Sequence, residues 1–105
     1  MEQTTNKNLK IVRKFKKEIE KLGVERIIFF GSRARGDFNQ NSDFDIIAIS
    51  KKFKNIRWYR RPLEIYLNWN QRYSLEVLCY TPEEFERLKK RIGIVQEAVK
   101  EGIEV

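Results

Sequence analysis

Leu9, Val12, Phe15, Ile19 and Leu22 recur at intervals of three and four residues, and Gly23 follows directly. That spacing lays one apolar stripe along a helix and ends it at a glycine cap, so it predicts a helix from about Asn6 to Leu22. The pattern then changes to short apolar runs. Val24 to Phe30 ends in Ile27-Ile28-Phe29-Phe30, and Phe44 to Ser50 contains Ile46-Ile47-Ala48-Ile49. Runs of this length, rich in β-branched residues, predict two buried strands. Between them Gly36, Asn39, Asn41 and Ser42 predict a turn-rich loop. Ile56 to Trp69 reads as a helix that Pro62 must either start or kink. Tyr73 to Tyr80 alternates and predicts a third strand. Thr81-Pro82-Glu83-Glu84 is a capping box with proline at the first helical position. The helix it opens carries Phe85, Leu88 and Ile92 on one face, and Val95 to Lys100 predict a last short helix beyond Gly93.

Helices and strands alternate, but three strands make only a small sheet. The expectation is an α/β (α+β) fold: a small mixed β-sheet with helices packed on one face and the other face open for a ligand. No repeat, linker or low-complexity tract interrupts the 105 residues, so residues 1–105 read as a single domain with one core. No apolar run approaches the ~20 residues that cross a bilayer. The N-terminus, Met1-Glu2-Gln3-Thr4-Thr5, is unlike a signal peptide, so the expected setting is the cytoplasm, away from membranes.

Composition removes several chemistries. The chain has no histidine, which excludes an imidazole base, a Ser-His triad and a His-ligated metal. Its one cysteine, Cys79, can form neither an internal disulfide nor a multi-cysteine zinc site. A metal must therefore be held by oxygen, which favours Mg²⁺, Mn²⁺ or Ca²⁺. The balance of 22 Lys+Arg against 15 Asp+Glu gives a net charge of +7 and favours anionic partners. A Lys/Glu-rich solvated surface accounts for most of the individual charges.

The chemistry concentrates between the first two strands. Gly31-Ser32 follows one apolar run, and Asp43-Phe44-Asp45 opens the next. Gly31 lets the chain turn and lets a phosphate approach the backbone. Ser32 offers a hydroxyl and an N–H to terminal phosphates. Arg33 or Arg35 could neutralise a pyrophosphate, because guanidinium matches phosphate oxygens. Asp43 and Asp45, two residues apart on a strand, share a face at roughly 7 Å between Cα atoms. Paired carboxylates repel unless a cation sits between them. These parts predict a nucleoside triphosphate site with Mg²⁺.

Gly-Ser, ten residues, then Asp-x-Asp resembles the signature of the minimal nucleotidyltransferases of the DNA polymerase β superfamily. The resemblance covers about residues 8–100 and implies the polymerase β-like nucleotidyltransferase core. It implies transfer of a nucleotide, AMP from ATP, to an acceptor hydroxyl with loss of pyrophosphate. It also implies one or two Mg²⁺ ions, with Mn²⁺ as a substitute, on Asp43, Asp45 and a third acid. Members usually carry an aspartate on a later strand; here the matching segment, Ser74 to Tyr80, offers only Glu76. Small stand-alone members are often paired with HEPN-domain RNase toxins, as antitoxins that adenylylate a toxin tyrosine. A HEPN-like protein partner is therefore the implied acceptor.

A second cluster is Arg57-Trp58-Tyr59-Arg60-Arg61, with Tyr66, Trp69 and Tyr73. Basic and aromatic residues together can stack bases. At helical spacing, however, Trp58, Ile65 and Trp69 read first as core or as a partner interface, either of an acceptor protein or of a homodimer. Two other functions stay open beside the transferase: a module that neutralises a partner by contact alone, and a basic nucleic-acid-binding module.

Overall fold

A computed structural model describes residues 2–105. The first helix, α1 (Glu2–Ile19), starts four residues before the expected Asn6, because polar residues extend a helix without contributing to its packing face. Val12, Phe15 and Ile19 are buried along that stripe. Its end tightens into a 3₁₀ turn, Glu20–Leu22, closed by Gly23 at φ 92° with its N–H donating to the Glu20 carbonyl.

The strands are β1 (Arg26–Phe30), β2 (Phe44–Ile49), β3 (Leu75–Tyr80) and a short β4 (Ile103–Glu104), in the order β3-β2-β1-β4. β1 runs antiparallel to both β2 and β4, while β2 and β3 are parallel, so the sheet is mixed as expected. β4 is too short to show a pattern of its own and is the one strand the sequence did not reveal. It pairs Ile103 with Phe29, and Glu104 forms a two-point ion pair with Arg26.

The helices divide between both faces rather than covering one. Ile27, Phe29, Phe44, Ile46, Ala48, Val77 and Cys79 pack with Val12, Phe15 and Ile19 of α1 and with Ile65. On the reverse face Ile28, Ile47 and Ile49 pack with Phe85, Val95 and Ala98 of two later helices. The continuous apolar runs of β1 and β2 already require this, since a strand with only one buried face would alternate with polar residues. The open region is thus the end of the sheet, not a face.

Ile56 to Trp69 does not form one helix. A 3₁₀ turn at Lys51–Asn55 is followed by turns, and α3 is confined to Leu63–Leu67 with Pro62 at its N-cap. Pro62 starts the helix and does not continue one, because the residue before proline is pushed out of the helical region. Trp58 is consequently 78% exposed, whereas Ile65 is buried and Trp69 packs edge-on against Phe15 at 4.9 Å. α3 also protects the outer edge of β3: the Tyr66 hydroxyl accepts the Val77 N–H at 3.1 Å. Arg61 completes that cover by donating to the Cys79 carbonyl while paired with Glu84 at 2.6 Å.

The capping box of α4 (Pro82–Leu88) forms reciprocally, with the Glu84 N–H on Thr81 Oγ1 at 3.2 Å and the Thr81 N–H on Glu84 Oε1 at 2.8 Å. The helix ends at Leu88, so Phe85 is buried but Ile92 is 98% exposed. α5 (Ile94–Glu101) follows Gly93.

Candidate active site

The turn after β1 is shaped by one glycine. Gly31 has φ 83° and ψ −170°, and it redirects the chain into α2 (Ser32–Arg35), a single helical turn inside the expected loop. A Cβ at Gly31 would collide with Asp45 Oδ2 and stand 3.1 Å from Asp45 Cγ. The positive φ and the missing side chain are both required. They bring the Gly31 backbone directly against the Asp45 carboxylate, so the two halves of the sequence motif touch. Phe30 lies opposite Asp45 in the β1–β2 register, which explains why the strand end and the acid meet. Gly36, at φ 101°, closes α2 with its N–H on the Ser32 carbonyl at 2.8 Å.

Asp45 and Glu76 are direct neighbours in the parallel β2–β3 register. Both project on the same face as Ile47, which sets their carboxyl groups side by side. Burial pushes the Asp45 pKa up to about 6; the negative charges of Glu76 and Asp43 push in the same direction, and the Arg35 guanidinium opposes them. Asp43 sits on the exposed turn just before β2, two residues away. Among the described residues no three His, Cys, Asp or Glu side chains converge into a closed metal-binding group. What is assembled is the Asp45–Glu76 pair, with Asp43 at its rim. Two carboxyl groups side by side, one holding its proton to near-neutral pH, have the donor chemistry of a hard divalent cation site.

The two arginines separate. Arg35 stays at the surface near the carboxylates, bridging Asp37 and Glu101 at 3.1 Å each, and so ties α2 to α5. Arg33 turns away from the carboxylates and is only 3% exposed. Its Nε donates to the Ser42 carbonyl at 2.8 Å, and Nη2 donates to the Gln40 and Asn39 carbonyls at 3.3 and 3.4 Å. Its guanidinium lies 4.5–4.8 Å from the rings of Tyr73, Phe44 and Phe38. Nη1 reaches Asn8 Oδ1 at 3.4 Å, and Asn8 in turn donates to the Arg33 carbonyl at 3.3 Å. Arg33 therefore pins the 39–42 loop that delivers Asp43 to the end of β2. The sequence reading grouped it with the phosphate contacts; its occupied donors instead make it a brace. Asn8 was not singled out at all, although a polar residue in register with Val12, Phe15 and Ile19 on an otherwise apolar stripe is a readable sign of a buried hydrogen-bonding role.

A glycine turn packed against paired acids at the end of a mixed sheet defines the class: an α/β domain built for phosphoryl-group chemistry. The particular family is then clear, because the nucleotidyltransferase domain pattern matches residues 12–101 and the chain belongs to that family. Over 100 residues it is 26% identical to a Methanocaldococcus jannaschii protein named "Putative protein adenylyltransferase", covering 92% of this chain and 97% of that one. A Sulfolobus solfataricus crystal structure described as a "putative nucleotidyltransferase" superposes with a TM-score of 0.65 at 25% identity. That match covers 83% of this chain and 78% of the other.

Proposed function

We propose that this nucleotidyltransferase transfers AMP from ATP to a hydroxyl group on a protein acceptor. The observation that carries the reading is the contact between the Gly31 turn and Asp45, itself paired with Glu76. It sets backbone open to a phosphate beside carboxylates able to hold its counter-cation. Ser32 and the Gly31 backbone would receive the terminal phosphates, and Arg35 would neutralise charge on the departing pyrophosphate. Asp45 and Glu76, joined by Asp43, would hold Mg²⁺, which supplies charge neutralisation to the triphosphate when bound. The acceptor oxygen forms a bond to the α-phosphorus, the bond from that phosphorus to the β-phosphate oxygen breaks, and pyrophosphate leaves with the electron pair. The hydroxyl proton passes to water. Positioning and electrostatics carry such a reaction, so a chain without histidine is not handicapped.

The acceptor we infer is a tyrosine of a HEPN-type RNase toxin, with adenylylation as the antitoxin act. The family resemblance supports the toxin tyrosine, and the name "Putative protein adenylyltransferase" of the Methanocaldococcus relative supports a protein acceptor. The test is incubation with α-phosphate-labelled ATP, MgCl₂ and the product of the adjacent gene. Label should reach a tyrosine of that product and pyrophosphate should be released. Labelling of an RNA 3′ end or an aminoglycoside, with none on protein, would reject the reading.

A further inference from the structure

The excess positive charge is not spread over the chain. Lys51, Lys52, Lys54, Arg57, Arg60 and Arg61 fall within eleven residues that contain no acid, and setting them aside leaves 16 basic against 15 acidic residues. The fold gathers this segment around a cavity of about 740 Å³, with Lys21, Lys52, Arg57 and Arg60 among its walls. Ile56 and Leu63 supply an exposed aliphatic floor, Val24, Phe53 and Ile65 are buried, and Glu64 is the one acid in the lining. Arg61 is committed to Glu84, but Lys21, Lys52, Arg57 and Arg60 have no ion-pair partner among the described residues. The cavity lies beyond the Ser50 end of β2, and the five-residue step back to Asp45 spans roughly 16 Å. It is therefore separate from the carboxylate site.

We infer that this basic cavity is a docking site for an acidic, amphipathic segment of the acceptor protein. The inference rests on the acceptor being a protein, and it adds where that protein is held. Charge complementarity selects an anionic occupant. The aliphatic floor selects a peptide over a nucleic acid, which has no aliphatic side chain to place there. The exposed aromatics agree: Trp58 and Tyr59 stand edge-to-face at 88° and 5.8 Å, so they do not form parallel stacking platforms. A segment whose acids meet the rim and whose leucine-like side chain enters the floor would be steered in by long-range charge and retained by burial.

The experiment uses the full chain and a fluorescein-labelled synthetic peptide alternating Glu and Leu, read by fluorescence anisotropy. Binding should saturate, should weaken with added salt, and should fall about tenfold in Arg57→Glu/Arg60→Glu. A Glu-Ser peptide of equal length should bind more weakly, reporting the apolar floor. Mg²⁺-ATP affinity and the circular dichroism melt should match the parent in the double variant, since neither arginine touches the carboxylate site. Equal peptide binding by parent and variant, or tighter binding of a single-stranded oligoribonucleotide than of the peptide, overturns the inference. Peptide binding by a protein that transfers no AMP upholds the docking site and removes the transferase reading. Transfer without peptide binding does the reverse.

Discussion

At the β1–α2 end of the sheet, Asp45 and Glu76 are set side by side against one glycine turn, with Asp43 exposed at the rim, and the nearby Arg33 and Arg35 are both engaged. At the opposite end, six cations share eleven residues, and most of them stand in solvent with nothing fixing their positions. The acidic end is built by strand register and by a positive-φ glycine, so its charges cannot relax apart. The basic end is carried on a 3₁₀ turn and loops, where side chains lose little by moving apart. Like charge held together at a cost in stability is a mark of chemistry, whereas like charge left loose is a mark of attraction at longer range.

The sharpest way to break this contrast is to neutralise Asp45. Asp45→Asn should reduce nucleotidyl transfer by about a thousandfold, the scale expected for losing a central electrostatic group. The same change should raise the melting temperature at neutral pH, because an amide can donate to Glu76 where a carboxylate repels it. A variant that loses both activity and stability would mean that Asp45 serves the core and is not a strained functional group. Next in size is the brace. Arg33→Met leaves the 39–42 carbonyls without their donor and removes the guanidinium from among three rings. It should cost about 3 kcal/mol in urea unfolding. A loss of phosphate affinity at unchanged stability would instead return Arg33 to the nucleotide contacts.

How far this was legible in the sequence differs between the same two ends. The acidic end could be read because its parts are local: apolar run, glycine, ten residues, paired aspartates. Glu76 entered only through the resemblance, as the one acid on the strand where such a family carries its third, and the β2–β3 register sets it beside Asp45. What stayed hidden were long-range partners, such as Asn8 reaching Arg33 across 25 residues and Glu104 closing on Arg26 across 78. The basic end misled. Trp58, Ile65 and Trp69 have helical spacing, but Pro62 divides the segment, so Trp58 stands in solvent while Ile65 and Trp69 join the core as expected. The second helical layer was legible in principle from strands apolar on both faces, since Ile28 and Ile47 need a cover as much as Phe29 and Ile46 do.

A smaller effect sharpens the acidic side through pH. The folded protein without metal keeps a proton on Asp45 up to about 6, whereas the unfolded chain releases it near 4. Between those values the folded state binds more protons than the unfolded state, so metal-free stability falls as pH rises through that window. Mg²⁺ competes with the same proton. Its affinity should climb as pH rises through about 6 and then level off, which calorimetry across pH 5 to 8 would follow. An affinity flat across that range would place the metal elsewhere.

The smallest effect belongs to the basic end, and its smallness is the point. Arg57 and Arg60 are exposed and have no ion-pair partner among the described residues, so Arg57→Ala/Arg60→Ala removes charge without removing packing. Unfolding free energy should stay within about 0.5 kcal/mol of the parent. The sign at low ionic strength is informative. Two fewer cations in a cluster of six relieve repulsion, so the variant should be slightly more stable there, and the difference should fade as salt screens the parent. A clear loss of stability at every ionic strength would show that these arginines hold the 51–61 segment in place. The two ends of the sheet would then be alike in construction, and the cavity would be a structural feature instead of a surface left free for a partner.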